Sequence, residues 1–233
     1  MSATEIIPRR LWQLNLGAVN AFVLHDGDEL VLIDTGLPGS EVKITKAVEG
    51  TGCSPTDVAR IIVTHCHPDH SGSLAALKRI TKAPAVMHSV DAAMVRRGEA
   101  KRPMSPAPGL QRRLLFRLFV APAPSHVESA VVEVELEDGS EVGGLRAIHV
   151  PGHCAGQVAL LWPSQRVLFV ADAASSMMGL GLHLGYEDLE LGKRSLARLA
   201  SLDFEIACFG HGGPIKRGAA ARFRQQWGTP AHT

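Results

Sequence analysis

Residues 64–70 read THCHPDH and follow directly on the apolar run of residues 61–63. A short β-branched run of that kind reads as a buried strand. His65 and His67 lie two apart, so an extended segment points them to the same side and Cys66 to the other. Pro68 cannot donate to a ladder and suits the first turn of a helix, which places Asp69 and His70 at a helix start. Asp69 alone would read as an N-cap, and any one histidine as a hydrogen-bonded core or surface residue. Three imidazoles and a carboxylate within six residues have no such structural purpose together. They are the ligand types of zinc, iron and manganese.

Three more groups of the same chemistry stand where strands are expected to end. His153 lies in HVPGHCAGQ, Asp172 closes RVLFVAD, and His211 lies in FGHGGP. Each is flanked by small residues or glycine, which let backbone approach closely. Polar groups converging at strand ends point to an active site carried on loops over a rigid sheet.

The rest of the chain reads as an ordinary α/β domain. It has 233 residues, 45% hydrophobic and 20% charged, and a net charge of +1. That length carries a full-sized core, and the charge gives no sign of a nucleic-acid partner. Strands are expected at 11–16, 19–25, 30–33, 61–63, 85–88, 145–150, 158–162, 166–171 and 206–209. Helices are expected from about 40 to 50, at 73–80, just after 88, at 188–201 and at 217–227. HDGD at 25–28 is a turn signal, and so is Asp138-Gly139, which would fold the alternating acidic stretch around 130–142 into an edge hairpin. Two stretches echo each other: 23–34 and 159–172 both read as hairpins that end in an aspartate and lead into a helix. This suggests two related βα halves. Residues 98–125 carry five prolines around an amphipathic piece, LQRRLLFRLFV at 110–120, and read as an inserted helix within one domain spanning 1–233. The N-terminus lacks the pattern of a signal peptide and no apolar run is long enough to span a bilayer. A cytoplasmic protein with four reduced cysteines is expected.

Taken together, IDTG at 33–36, THCHPDH at 64–70, VPGHCAGQ at 150–157, VAD at 170–172 and GHGGP at 210–214 resemble the metallo-β-lactamase superfamily in its glyoxalase II-like branch. The resemblance implies a four-layer αββα sandwich of two mixed sheets flanked by helices. It also implies two divalent metal ions, zinc first, with iron or manganese as alternatives. One would be held by His65, His67 and His153, the other by Asp69, His70 and His211, with Asp172 bridging. Asp34 would be a buried support of the metal loops. Such a centre hydrolyses by a metal-bound hydroxide, here of a small-molecule thioester, ester or lactone, with Asp69 as catalytic residue orienting the attacking group. The alternatives are a mononuclear iron persulfide dioxygenase, against which the complete second ligand set argues, and a β-lactamase-type amide hydrolase.

Several positions depart from relatives. The fourth motif reads PGHCAG, with Cys154 expected as a small buried residue. Lactonase relatives often place a tyrosine three residues after the bridging aspartate, and this chain has Ser175 there. Its only tyrosine, Tyr186, and His183 lie farther along the same loop as candidate substrate contacts. The other histidines, at 25, 88, 126, 149 and 232, are expected to be structural. The chain closes about 20 residues after His211, so a glutathione-holding platform is expected to be reduced. The basic, apolar 98–125 segment is open between a pocket wall for an acidic, apolar-tailed substrate, a solvated face and a dimer contact. The expected partner is a small-molecule substrate, with no nucleic acid, no membrane, and a homodimer left open.

Overall fold

The computed structural model describes residues 3–27 and 29–228. Asp28, the last residue of the expected turn, and His232 lie outside the described residues. The strands are, in chain order, β1 Thr4–Ile7, β2 Leu11–Asn15, β3 Asn20–Asp26, β4 Glu29–Ile33, β5 Val58–Ile62, β6 Ala85–His88 and β7 Ser105–Pro106. They continue as β8 Val134–Leu136, β9 Glu141–Val142, β10 Leu145–His149, β11 Val158–Trp162, β12 Val167–Ala171, β13 Gly185–Tyr186 and β14 Ile206–Phe209. The helices are α1 Glu41–Gly50, α2 Pro68–Ser71, α3 Leu74–Thr81, α4 Ser89–Arg96, α5 Leu110–Leu115, α6 Leu189–Ala200 and α7 Ala219–Trp227. Among the described residues no helix is long and apolar enough to cross a membrane.

The chain divides into two compact units, Met1–Lys101 with Pro124–Glu137, and Arg102–Ala123 with Asp138–Thr233. The first holds a seven-stranded sheet in the order β1-β2-β3-β4-β5-β6-β8. Its first four strands run antiparallel, then β4, β5, β6 and β8 run parallel. Parallel neighbours need crossovers, and α1, α2 with α3, and α4 occupy them. β3 and β4 are almost wholly buried, which is why they read as continuous apolar runs rather than alternating ones.

The second unit holds a five-stranded sheet, β14-β12-β11-β10-β9, and a small ladder of β13 with β7. Antiparallel pairing gives way to parallel between β12 and β14, and α6 makes that crossover. Asp188 caps α6 by accepting from the Leu191 N–H at 2.9 Å. The helix buries Leu196 and Leu199 with Leu168 and Val170 of β12, Phe209 of β14 and Phe223 of α7. Phe204 meets Phe223 edge to face, with centroids 5.2 Å apart.

The internal echo has a structural counterpart. In each unit an antiparallel hairpin ends at an aspartate, Asp34 after β4 and Asp172 after β12. A helix follows in each, and the next strand pairs in parallel with the second strand of the hairpin. The expected hairpin about Asp138-Gly139 does not form. β8 pairs with β6 and β9 with β10. The Gly139 N–H donates to Ala147 and the Asp138 carboxylate accepts from the His149 N–H, both at 2.9 Å, so the turn is tied forward to β10 and not back to β8. The acidic stretch before it pairs with basic residues of α3 and α4: Glu128 with Arg79, Glu133 with Lys78, and Glu135 with Arg96.

The expected insertion at 98–125 is divided between the units, with 102–123 in the second. Its helix is α only to Leu115 and continues as a π turn, Phe116–Val120. Leu110, Leu114, Leu118 and Phe119 are exposed. Phe116 packs inward on Gly185, where a Cβ would lie 2.6 Å from its ring.

Candidate metal centre

In the first unit, β5 delivers the chain into 64–67, and Pro68 opens the single turn α2 that carries Asp69 and His70. His65, His67 and His70 are buried, and the Asp69 side chain is the most open of the four, at 29%. As the spacing implies, His65 and His67 face the same way: Nε2 of the first lies 3.0 Å from Nδ1 of the second. Cys66 points away, its Sγ 3.9 Å from the Met94 sulfur.

Asp34 organises this segment. It is 1% exposed and sits at φ +62°, a left-handed conformation that aspartate tolerates better than most residues. Its carboxylate accepts from the Thr64 N–H at 2.8 Å, from the Thr64 hydroxyl at 3.0 Å and from His70 Nδ1 at 2.9 Å. The hydroxyl proton is used on Asp34, so Thr64 Oγ1 accepts from His65 Nδ1 at 3.1 Å. Protons on the Nδ1 atoms of His65 and His70 leave their Nε2 lone pairs for a metal, the second support that metal-binding histidines ordinarily have. Thr64 was not singled out in the sequence; its place between Asp34 and the first histidine is the signal that could have found it. Gly72 matters for a different reason. A Cβ there would stand 2.2 Å from the Pro68 carbonyl oxygen, so the chain can leave α2 this tightly only without a side chain.

In the second unit, Asp172 follows β12 and is 1% exposed. Three imidazoles face its Oδ2: His211 Nε2 at 3.1 Å, His183 Nε2 at 3.3 Å and His153 Nε2 at 3.5 Å. His153 Nδ1 donates to the Gly185 carbonyl at 2.8 Å, so its Nε2 turns a lone pair toward a carboxylate. A proton or a cation has to stand between two such acceptors. Three imidazolium protons round one buried oxygen would be costly, whereas divalent metal can satisfy such donors. The donor chemistry in both units therefore fits divalent metal.

Tyr186 does not sit as a substrate contact. Its hydroxyl accepts from the His183 N–H at 3.0 Å and donates to the Ala173 carbonyl at 2.9 Å, and burial pushes the phenol pKa up. It ties the loop after Asp172 back to its own start. A buried hydroxyl needs partners, and two backbone groups thirteen and three residues upstream supply them. Cys154 is fully buried, as expected, with Arg102 Nη1 3.3 Å from its sulfur. The remaining described histidines have structural partners: His25 faces Cys53, His88 caps α4, His126 sits beside Ser125, and His149 meets the Ala155 carbonyl.

A sheet-and-helix scaffold of this order, with histidine and carboxylate donors at strand ends, defines a metal-dependent hydrolase of the metallo-β-lactamase fold. The family model of the metallo-beta-lactamase superfamily matches residues 14–211, and the chain belongs to that superfamily. It is 28% identical over 195 residues to a hydroxyacylglutathione hydrolase of Cereibacter sphaeroides, covering 82% of this chain and 61% of that one. It is 26% identical over 204 residues to the thioesterase pkgB of Emericella nidulans, covering 87% of this chain. The chain spans about half, 48%, of that relative's length. The crystal structure of the metallo-beta-lactamase family protein TTHA1429 from Thermus thermophilus superposes with a TM-score of 0.69 at 26% identity. That match covers 95% of this chain and 79% of that one.

Proposed function

We propose that this hydrolase cleaves a small-molecule thioester, with esters and lactones as lesser substrates, at a centre of two divalent metal ions, zinc first. His65, His67 and His153 would hold one ion, Asp69, His70 and His211 the other, and Asp172 would bind both. The observation that carries the reading is the set of protein acceptors on the Nδ1 atoms of His65, His70 and His153. Each fixes the tautomer in which Nε2 is a metal donor. When bound, the ions supply Lewis acidity and a water activated at neutral pH.

The chain's own groups divide the remaining work. Asp69, the most open carboxylate of the cluster, would orient the attacking water as well as bind metal. Asp34 holds His70 and, through Thr64, His65. Phe116 backs Gly185, whose carbonyl orients His153. The preference for a thioester follows from the leaving group. A thiol with pKa near 8.5 departs as thiolate with little help, whereas an alkoxide calls for a proton donor. The lone tyrosine is not free for that task, because its proton is used on Ala173. The relatives named thioesterase and hydroxyacylglutathione hydrolase support the same preference and the glyoxalase II-like branch.

The test is a panel of an acyl-coenzyme A, an S-acylglutathione, a lactone and an aryl ester, run on the wild type and on Asp69→Asn. Thioester turnover is expected to lead the panel and to fall about 100-fold or more in the variant, with the circular dichroism spectrum unchanged. Full activity in Asp69→Asn would contradict the role of Asp69. An inert thioester beside a turned-over lactone would contradict the substrate class.

A further inference from the structure

The family pattern leaves His183 without a role, and the sequence placed it only as a candidate substrate contact. Its surroundings assign it another place. The ring is 5% exposed and lies between two candidate ligands, with centroids 4.5 Å from His153 and 5.1 Å from His211. Its Nε2 faces the same Asp172 oxygen as theirs.

The distances have a metric meaning. Around a tetrahedral zinc with bonds of about 2.0–2.1 Å, neighbouring donor atoms stand about 3.3–3.4 Å apart. The three Nε2 atoms lie 3.1, 3.3 and 3.5 Å from Asp172 Oδ2, which brackets that edge length, and the value for His183 falls closest to it.

The backbone holds the ring there by a closed circuit. Asp172 is followed by Ala173, whose carbonyl accepts from the Tyr186 hydroxyl, and that oxygen accepts in turn from the His183 N–H. Tyr186 is itself seated against Gly192, where a Cβ would stand 2.7 Å from the ring. Gly192 lies against Gly152, whose own Cβ would fall 2.2 Å from the Gly192 nitrogen. Gly152 immediately precedes His153. The loop bearing His183 and the two neighbours it faces, His153 and Asp172, are thus fixed to one another within a single unit.

We propose that His183 is a metal ligand, an imidazole added to the family's set and directed at one of the two ions that Asp172 would bind. The proposal rests on the reading of this protein as a metal-binding hydrolase. It makes the unit's donor set His153, His183, His211 and Asp172.

Cobalt(II) is the probe, because its visible spectrum reports the donor set directly. The protein is stripped, loaded with cobalt, and compared with His183→Ala and His183→Cys for spectrum and for affinity in a chelator competition. In His183→Ala the affinity of one site is expected to fall by at least the roughly 10–100-fold that loss of an outer-shell partner costs, with a changed visible band. In His183→Cys a new thiolate-to-cobalt charge-transfer band is expected, absent from the wild type, which shows residue 183 bound to the ion rather than merely near it. Metal-free circular dichroism of both variants keeps a folding defect apart from a lost ligand. Unchanged affinity and spectrum in His183→Ala overturn the proposal. So does weakened binding with an unaltered band and no new band in His183→Cys, which would make His183 a positioning residue for Asp172. A wild type that takes up no cobalt overturns the metal-dependent reading itself, and this proposal with it.

Discussion

At the scale of single residues, Asp34 does the most with one side chain. It takes three hydrogen bonds from Thr64 and His70 and so sets the direction of two imidazoles it does not resemble in sequence position. Asp34→Ala is expected to weaken metal binding by about 10–100-fold, read by chelator competition. It is also expected to lower stability by about 1–3 kcal/mol, read by urea unfolding, because buried donors on Thr64 and His70 are left without their acceptor. Metal affinity equal to wild type would remove Asp34 from the site. The cluster at 65–70 was legible because its members are neighbours in sequence, and a strand end fixes where they point. The place of Tyr186 was not legible, for the opposite reason. A tyrosine's role depends on where its hydroxyl finds a partner, and Ala173 and the His183 N–H are brought to it only by folding of the loop. His183 was hidden in the same way, a lone histidine among glycine and leucine at 179–185 whose partner Asp172 is far from it along the chain.

At the scale of elements, periodicity and turn residues placed most strands and helices within a residue or two, because their apolar faces are decided locally. What they missed depends on pairing. β1 and the two-residue ladder of β13 with β7 have no pattern of their own. The strands either side of Asp138 read as one hairpin, yet they belong to different sheets. Asp138 decides that outcome and also fastens α6, through Arg198 Nη2 at 2.9 Å. The Arg198 guanidinium holds the Asp138 carboxyl below the usual aspartate range, burial works against it, and the His149 N–H adds to the lowering. A carboxyl whose folded pKa is depressed contributes stability that is complete above its unfolded value, near 3.8, and is lost as pH falls through the folded value. Asp138→Asn is therefore expected to cost less than about 1 kcal/mol at pH 7, since the pair is about half exposed. Urea midpoints measured from pH 7 to pH 2.5 should converge for the two proteins below pH 4. A gap that persists unchanged at pH 2.5 would place the effect elsewhere than in the charge.

At the scale of the whole molecule, each of the two units, of related design, carries its own candidate donors: His65, His67, Asp69 and His70 in the first, His153, Asp172 and His211 in the second. The repeated order of hairpin, aspartate, helix and parallel strand accounts for why the donors fall at corresponding strand ends. The fold class was readable because five short motifs in fixed order are carried along most of the chain. The two-unit division was not read from the sequence, because the proline-rich 98–125 segment reads as an insertion within one domain, whereas its residues are shared between the units. The proposal on which the account turns is that these donors together serve two ions. The most direct measurement is elemental analysis of the full chain, purified without chelator or added metal. The account expects about two divalent ions per chain, zinc foremost. A protein that carries no metal and takes up none on titration would contradict it, and a single iron per chain would contradict the two-ion hydrolase in particular.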